Sequence, residues 1–264
     1  MHDARGLFDP LADHYHLLYD NWEDACQQQG KVISAVLSEE LNLPEDAQLL
    51  DATCGIGTQV LGLAGRGHSI AMSDQSEVNL RRAQMEGARL GYALDGKVAD
   101  LCRLTDSWQD RVFDAVLCLD NALPNLLSEA ALQDAVMQIG LSLKPGGWFV
   151  ASMRDYDGLI DRREAATPLR VIDDAYGRRL LFQTWDWRKD EPLYHMTQYL
   201  IVPASDGARA RTMTFSGWFR ALRRREVNRA LRRAGFENIL WLGRKKTGFF
   251  QPLLIAQLPS RMHG

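Results

Sequence analysis

Two glycines that follow a short apolar segment can present backbone N–H groups to a ligand. Gly55 and Gly57 stand two residues apart in the segment D-A-T-C-G-I-G-T, which starts at Asp51. Glycine permits a close approach of the backbone, and N–H groups at the start of a helix attract anionic or polar ligand atoms. A nicotinamide-binding loop would read G-x-G-x-x-G, but Val60 occupies the third glycine position. The loop alone predicts a ligand site of another kind, or a plain tight turn.

Two further carboxylates follow later apolar segments. Asp74 ends the second predicted strand, and Asp100 follows a short predicted strand at Lys97–Ala99. A carboxylate in the first position can accept both hydroxyl groups of a ribose, and one in the second position can accept the amino group of an adenine. Either acid alone is more often a solvated turn residue or a helix cap. Three carboxylates at successive strand ends beside one glycine loop favour a shared binding site.

Five segments between residues 48 and 153 resemble, in order, the motifs of class I S-adenosylmethionine-dependent methyltransferases. They read LLDATCGIGT, MSD, VADL, FDAVLCL and LKPGG. The likeness resumes at residues 232–236, which read RRAGF, and in the last two predicted strands. The resemblance implies that S-adenosylmethionine is the cofactor.

That resemblance assigns a part of the cofactor to each predicted binding residue. Asp51 and the Gly55–Gly57 loop would hold the methionine end. Asp74 would hold the ribose, and Asp100 with Leu101 would frame the adenine. The full set of expected cofactor contacts is Tyr19, Asp51, Cys54 (as a packed thiol), Gly55, Gly57, Asp74, Gln75, Asp100, Leu101 and Leu119.

Three further stretches resemble glycine and glycine/sarcosine N-methyltransferases within that class. C-L-D-N ends at Asn121, M-R-D-Y-D contains Arg154, and L-L-Y-D contains Tyr19. By this resemblance, Asn121 would lie near the acceptor amine, Arg154 would pair with an acceptor carboxylate, and Tyr19 would close over the transfer site. Asp120 replaces a glycine of that family and Met153 replaces a histidine. These departures indicate a small amine other than glycine, which can still carry a carboxylate.

Methyl transfer requires mainly that the protein position the nucleophile relative to the methyl group. Because transfer from a sulfonium is a direct displacement, the protein has to hold the nucleophile in line with the methyl group. An alkyl amine with a solution pKa of about 10 must first lose a proton, and Asp120, Tyr19 and His195 are the candidate acceptors. The expected catalytic residues are Tyr19, Asp120 and Asn121, and the expected substrate-binding residues are Arg154, Trp185 and His195.

Each acceptor-side residue also has a purely structural explanation. His195 can be a strand histidine with a satisfied hydrogen bond, and Trp185 can serve core or interface packing. Arg154 can form an ion pair with a carboxylate that follows it in the chain. The candidate carboxylates are Asp155, Asp157 and Asp161.

Alternating strand and helix signals must position these residues. The predicted strands of the first part are Gln48–Ala52, His68–Ser73, Lys97–Ala99, Phe113–Leu119 and Trp148–Met153. Between them, Ser76 can cap a helix that ends near Leu90, and Ser128–Leu143 has helical spacing. Alternation of this kind implies parallel strands joined by crossover helices.

The pattern changes after Arg154. The segments Arg178–Arg188, Leu193–Val202 and Ala208–Phe215 are rich in β-branched and aromatic residues and predict an antiparallel meander. A helix at Glu226–Ala234 and strands at Ile239–Leu242 and Leu253–Leu258 follow.

The predicted fold is α/β, with a Rossmann-like seven-stranded methyltransferase sheet, N-terminal helices and the inserted meander as a substrate lid. We divide the chain into an N-terminal helical cap (1–46), a cofactor-binding core (47–153), a lid (154–218) and the final helix and strands of the core (219–264).

The whole-chain properties limit the partners. A net charge of −3 gives no general attraction to nucleic acid or anionic lipid. Four cysteines stand far apart, and no apolar run of about 18 residues or signal-peptide pattern is present, which predicts free thiols, no metal and a cytoplasmic protein. The expected partner is a small-molecule substrate, with no nucleic acid and no membrane, and a homodimer stays open.

Other functions stay open from the sequence. An arginine-rich segment from Arg220 to Arg233 would suit RNA, but apolar residues at helical spacing within it predict a solvated arginine face instead. An O-methyltransferase acting on a carboxylate, phenol or phosphonate would share the same cofactor half. A binding module that has lost catalysis and serves as a scaffold is the alternative from another class.

Overall fold

The computed structural model describes residues 5–203 and 209–260 and contains two β-sheets. The strands are β1 Gln48–Asp51, β2 Ser69–Asp74, β3 Asp95–Val98, β4 Phe113–Cys118, β5 Leu143–Ser152, β6 Arg170–Asp174, β7 Gly177–Trp187, β8 Leu193–Val202, β9 Arg211–Arg220, β10 Glu237–Leu242 and β11 Leu253–Gln257. The helices are α1 Arg5–Leu11, α2 Trp22–Ala35, α3 Thr58–Ala64, α4 Glu77–Arg89, α5 Leu104–Ser107, α6 Glu129–Leu141, α7 Tyr156–Arg162, α8 Arg224–Arg233 and α9 Arg244–Thr247. Within these ranges, no helix is long and apolar enough to cross a membrane.

The larger sheet has seven strands in the order β10-β11-β5-β4-β1-β2-β3. Strand β1 pairs in parallel with β2 on one side and with β4 on the other, and β5 pairs in parallel with β4. Strand β11 runs antiparallel between β5 and β10. The strand order therefore changes direction between β1 and β4, where open α/β sheets bind ligands beyond the carboxyl ends of the strands. This sheet confirms the predicted fold.

The central strands are buried on both faces, which explains their unbroken apolar sequences. In β4, Val116 and Cys118 belong to the core on one face, while Ala115 and Leu117 belong to the core on the other. Parallel strands that are covered by helices on both sides read as continuous apolar runs. Polar side chains directly after these strands therefore emerge where the core stops.

The smaller sheet is a four-stranded antiparallel meander in the order β6-β7-β8-β9. Strands β7 and β8 confirm the first two predicted strands of the meander. The predicted third strand, Ala208–Phe215, is wrong at its end, because β9 continues to Arg220 and pairs with β8 along its whole length. Its predicted first residue, Ala208, lies outside the described residues.

Two elements of this region, β6 and α7, have no predicted counterpart. Ile172 is the buried residue of β6, and Tyr156 is the buried residue of α7. A short element with a single buried side chain has almost no apolar periodicity, so pattern reading misses it. Strand β6 exists because it pairs with β7, from Arg170 opposite Leu181 onward.

The pattern of the arginine-rich segment predicts a solvent-exposed face of arginines, but in the structure some of these arginines pair with acidic residues of the chain. Arg220, at the end of β9, is buried and donates a hydrogen bond to Glu226 at 2.7 Å. Arg223, just before α8, donates to Asp161 at 2.9 Å. These two arginines hold α8 against its neighbours, because their charges are paired within the chain.

Candidate active site

A cavity of about 640 Å³ lies at the carboxyl ends of β1, β2 and β4, at the change of direction in the sheet. The predicted site residues in its wall are Cys54, Gly55, Asp74, Gln75, Asp100, Leu101, Leu119 and Asp120. The predicted site residues that are not part of its wall are Tyr19, Asp51, Gly57, Asn121, Arg154, Trp185 and His195. The cavity wall thus contains most of the predicted cofactor-binding residues. Of the predicted catalytic and substrate-binding residues, it contains Asp120 alone.

The glycine loop adopts a conformation that favours glycine at two positions. The backbone φ angle is +53° at Gly55 and +93° at Gly57, where α3 begins. A Cβ atom at Gly55 would meet nothing within 4 Å, whereas one at Gly57 would lie 3.1 Å from the Cβ of Ala83. The space over Gly55 is therefore open to a ligand, and Gly57 is needed for the turn itself.

Asp74 fastens this loop to the end of β2. Its Oδ2 accepts a hydrogen bond from the Gly55 N–H at 2.9 Å, and its Oδ1 accepts one from the Ser76 N–H at 2.8 Å. Burial raises the pKa of Asp74, although these two N–H groups act in the opposite direction. Each carboxylate oxygen has a second lone pair, so Asp74 can still accept hydroxyl groups from a ligand in the cavity.

Asp51 is fully buried and only half satisfied. Its Oδ1 accepts a hydrogen bond from the Thr53 N–H at 3.1 Å, but its Oδ2 has no hydrogen-bond partner among the described residues. Burial raises the pKa of Asp51 to about 7. An unpartnered buried carboxylate oxygen is costly, and a ligand that donates an N–H group or brings a positive charge would relieve that cost.

Asp100 and Leu101 form the opposite end of the cavity. The exposed Asp100 caps a short helical turn by accepting a hydrogen bond from the Cys102 N–H at 2.9 Å. Leu101 is buried and offers an apolar surface beside it. This combination of an acceptor and an apolar wall suits a flat heteroaromatic ring that carries an amino group.

Asp120 and Asn121 follow β4 in an unusual backbone conformation. Their φ angles are +52° and +66°, a region that aspartate and asparagine tolerate better than most residues. Ser152, at the end of β5, holds the turn. Its hydroxyl accepts the Asp120 N–H at 2.8 Å, and its carbonyl accepts the Asn121 N–H at 3.1 Å.

The carboxylate of Asp120 receives three hydrogen bonds from two distant parts of the chain. The phenol of Tyr15 donates to its Oδ2 at 3.0 Å, and that of Tyr19 donates to the same atom at 3.4 Å. The side-chain amide of Gln251 donates to Oδ1 at 3.4 Å. Burial raises the pKa of Asp120, while the phenols and the charge of Arg154 lower it.

The side chain of Asn121 links neighbouring segments of the chain through hydrogen bonds. Its side-chain oxygen accepts hydrogen bonds from the Arg154 N–H and from the phenol of Tyr156, both at 3.1 Å. The Tyr156 hydroxyl in turn lies 2.7 Å from that of Tyr194 in the second sheet. These contacts join β4, the β5–α7 junction and β8 behind the cavity.

Arg154 does not form the ion pair that sequence reasoning offered as its structural explanation. Its guanidinium donates to Gln183 at 3.0 Å and lies over the ring of Trp185, 4.9 Å from the centroid. The three candidate carboxylates instead face α8 and the residue before it, at 3.5 Å (Asp155–Arg224), 3.8 Å (Asp157–Arg224) and 2.9 Å (Asp161–Arg223). Trp185 is buried, so it packs in the core beside Arg154.

His195 is placed away from Asp120 by the alternation of β8. Tyr194 and Met196, its neighbours in the strand, are buried in the core that includes Trp185. His195 therefore points to the other face, where its ring packs edge-on against Trp218 at 5.1 Å. We correct its assignment as a proton acceptor for this reason.

Two residues of the site, Tyr15 and Gln251, were not predicted. Tyr15 lines the cavity and makes the shorter of the two phenol contacts with Asp120. A signal existed for it, because Tyr15 lies one helical turn before Tyr19 in an aromatic stretch. No comparable signal existed for Gln251, which reaches Asp120 only because β11 pairs beside β5.

Arg179 in β7 holds the backbone of the segment that carries both phenols. The arginine is buried, and its Nε and Nη2 donate to the carbonyls of Leu17 and Tyr19, each at 2.8 Å. Asp174 fixes the guanidinium with contacts of 2.6 and 2.8 Å. The smaller sheet thereby sets the position of the tyrosines over Asp120.

We expect Arg179→Met to lower the free energy of unfolding by about 2–3 kcal/mol, because two carbonyls lose a charged donor. Arg178→Met is the matched control, since Arg178 is the exposed neighbour in the same strand and should change stability by less than about 0.5 kcal/mol. Denaturant unfolding of both variants measures the difference. Equal midpoints for the two variants would contradict the role assigned to Arg179.

No group of three histidine, cysteine or acidic side chains that could hold a metal ion occurs within residues 5–203 and 209–260.

Comparisons with known proteins agree with this geometry. Residues 49–147 match a family model described as a methyltransferase domain. A glycine/sarcosine N-methyltransferase of Halorhodospira halochloris is 27% identical over 156 residues, which cover 56% of this chain and 58% of that protein. A second one, of Aphanothece halophytica, is 28% identical over 53% of this chain and 51% of its own length. The chain thus spans little more than half the length of these curated relatives.

Among solved structures, an S-adenosylmethionine-dependent methyltransferase of Clostridium acetobutylicum has a TM-score of 0.71 and 19% identity, covering 88% of this chain and 92% of that one. A sugar N-methyltransferase of Streptoalloteichus also has a TM-score of 0.71, with 20% identity over 93% of this chain and 92% of that one. At these identities the likeness concerns the fold.

Proposed function

We propose that the chain transfers a methyl group from S-adenosylmethionine to the nitrogen of a small molecule, on the premise of the class I methyltransferase fold and of the match of residues 49–147 to a methyltransferase domain. The observation that carries the proposal is the cavity, which joins a cradle of acidic side chains and a glycine loop to the half-buried carboxylate of Asp120.

The residues present fit this cofactor. The unpartnered Oδ2 of Asp51 suits the ammonium group of the methionine part, and the open space over Gly55 suits a close backbone contact. Asp74 would accept the ribose hydroxyls, and Asp100 with Leu101 would hold the adenine. Gly55, Asp74, Asp100 and Leu101 line the cavity itself, and Asp51, at the end of β1, adds an unpartnered acceptor outside its wall.

The cofactor supplies a methyl group on a positively charged sulfur, which is displaced directly by the acceptor. The chain therefore has to align the acceptor and keep water away from it. The part of the cavity wall that would align the acceptor consists of Leu119 and Asp120, which follow β4 directly, and of Tyr15 from the N-terminal segment. Asp120 is the acidic group there that can take a proton from an amine.

Two lines of support favour nitrogen as the methylated atom. The curated relatives are named glycine/sarcosine N-methyltransferases, and a structural neighbour is a sugar N-methyltransferase. The half-buried carboxylate of Asp120 on the acceptor side also suits an amine better than a carboxylate or phosphonate, whose negative charge it would repel. The hypothesis that Arg154 binds a carboxylate of the acceptor is less well supported by the structure than by the sequence. The Arg154 guanidinium already donates a hydrogen bond to Gln183 and stacks on Trp185.

We expect the protein to convert S-adenosylmethionine to S-adenosylhomocysteine when it is offered a panel of small amines, because the cavity joins the cofactor cradle to Asp120. Mass spectrometry of both cofactor forms measures turnover. Gly57→Val is the matched control and should be inactive, since its left-handed φ angle cannot accommodate a branched side chain.

The panel also contains phenols, carboxylates and phosphonates. Turnover with these acceptors alone would make the protein an O-methyltransferase. Cofactor binding without turnover on any acceptor would contradict the enzymatic proposal and favour a scaffold.

A further inference from the structure

The carboxylate of Asp120 is surrounded by neutral partners. Its hydrogen-bond donors in the described part of the chain are two phenols and a side-chain amide. Arg154 influences it through space, but its guanidinium is hydrogen bonded to Gln183 and stacked on Trp185. A carboxylate in a partly dry cavity without a bonded cation is a strong attractor for one.

The phenol of Tyr15, which lines the cavity, extends this acceptor surface, and the phenol of Tyr19 bonds to the same carboxylate from outside the cavity wall. Each tyrosine donates its hydroxyl proton to Oδ2 of Asp120, so only lone pairs of the phenol oxygens remain for a ligand. Burial raises the pKa of both Tyr15 and Tyr19 well above its usual range, which keeps them neutral. The acceptor end of the cavity thus offers oxygen acceptors around a negative charge.

We propose that this end of the cavity binds the acceptor as an alkylammonium ion, held by Asp120 and Tyr15, and selects against amines that carry a carboxylate on the carbon next to the nitrogen. The proposal rests on the proposed function and names the substrate class of the same site. It differs from what the resemblance to glycine N-methyltransferases implies, because there the acceptor is an amino acid.

The bound ion becomes a nucleophile by giving one proton to Asp120. The N–H bond breaks and an O–H bond forms on the carboxylate, either directly or through the Tyr15 hydroxyl, which passes on its own proton as it receives one. The amine is then neutral and its lone pair is free. The negative charge of Asp120 and the positive charge of the ammonium cancel in this step, so charge balances within the site.

An α-carboxylate would be repelled from this position. A nitrogen within hydrogen-bond distance of Asp120 places a neighbouring carboxylate only a few Å from the same side chain, and like charges at that separation repel strongly in a partly dry site. By the sequence resemblance, Asp120 replaces a glycine of the glycine/sarcosine N-methyltransferases, and this replacement would introduce the repulsion.

The competing explanation is that Asp120 balances the positive sulfur of S-adenosylmethionine. The two explanations separate on binding. If Asp120 served the sulfonium, Asp120→Asn would weaken the binding of S-adenosylmethionine but not that of S-adenosylhomocysteine, whose sulfur is uncharged. If it serves the acceptor, the ratio of the two affinities stays constant and amine binding falls.

The test uses propylamine and 2-aminobutyrate, which differ only by the α-carboxylate. For the wild-type protein we expect kcat/KM to favour propylamine by at least about 10-fold. Calorimetry with the S-adenosylhomocysteine-loaded protein should show propylamine binding, and Asp120→Asn should weaken it about 10- to 100-fold. Asp190→Asn, in an exposed turn, is the control and should match the wild type.

A wild-type preference for 2-aminobutyrate, absent propylamine binding to the loaded protein, or a selective loss of S-adenosylmethionine affinity in Asp120→Asn would each overturn the inference. All three results are compatible with a methyltransferase. A protein that binds neither cofactor form would instead remove the proposed function, so the two failures are distinguishable.

Discussion

The Asp74→Ala variant is expected to bind S-adenosylmethionine about 100-fold or more weakly than the wild type. The substitution removes the acceptor of the Gly55 N–H and that of the Ser76 N–H, and it removes the group proposed to hold the ribose. A hydrogen bond to a charged group contributes about 1.5–3 kcal/mol, and each 1.4 kcal/mol or so is tenfold in affinity. Calorimetric titration with S-adenosylmethionine and S-adenosylhomocysteine measures the loss.

Asp100→Ala provides the graded comparison. Asp100 is exposed, so water competes for the ligand amino group that it would hold, and we expect a loss of no more than about tenfold. Wild-type affinity in Asp74→Ala, or a larger loss in Asp100→Ala than in Asp74→Ala, would contradict the assignment of the cradle.

The Gly62→Ala variant is expected to lose more than about 3 kcal/mol of the free energy of unfolding. Helices α2 and α3 touch through two glycines, and a Cβ atom at Gly62 would lie 2.0 Å from the Cys26 carbonyl oxygen and 2.9 Å from the Cα of Gly30. Backbone atoms cannot move aside as a side chain can, so the helices would have to separate. For a chain of this size the melting temperature should fall by roughly 6–12 °C.

Gly243→Ala is the matched control for Gly62→Ala. A Cβ atom at Gly243 would meet nothing within 4 Å, and its φ angle of −73° suits alanine. Thermal unfolding of the two variants side by side isolates the helix contact. Equal melting temperatures would show that α2 and α3 do not pack as described.

The cofactor half of the site could be predicted from sequence because its residues follow consecutive strands. Asp51 and Asp74 are the last residues of β1 and β2, and parallel strands bring their carboxyl ends to one edge. The glycine loop between them is local in sequence as well. A pattern of apolar runs with acidic residues at the strand ends therefore predicts both the fold and the residues of the cofactor site.

The acceptor half could not be predicted in the same way, because it depends on contacts between distant segments. Asp120 meets Tyr15 from the N-terminal segment and Gln251 from the region before β11. The second contact exists only because β11 inserts antiparallel beside β5. No local spacing encodes which phenol or amide will reach a given carboxylate.

The alternation of side chains along β8 explains why His195 does not lie beside Asp120, as its predicted role as a proton acceptor requires. Side chains of a strand alternate between two faces, and the sequence of β8 has chemically attractive residues on both. Which face meets the core depends on the pairing of β8 with β7 and β9, where Tyr194 lies opposite Trp187 and Phe219. The aromatic cluster around Tyr194 decides the face, and His195 takes the other.

The methylated atom is the most direct test of the account as a whole. The protein is incubated with S-adenosylmethionine that carries a ¹³C-labelled methyl group and with a small alkyl amine, and the product is examined by NMR. We predict a labelled methyl signal whose carbon is bonded to nitrogen, formed together with S-adenosylhomocysteine. A labelled methyl group bonded to oxygen, or no transfer by a protein that binds the cofactor, would contradict it.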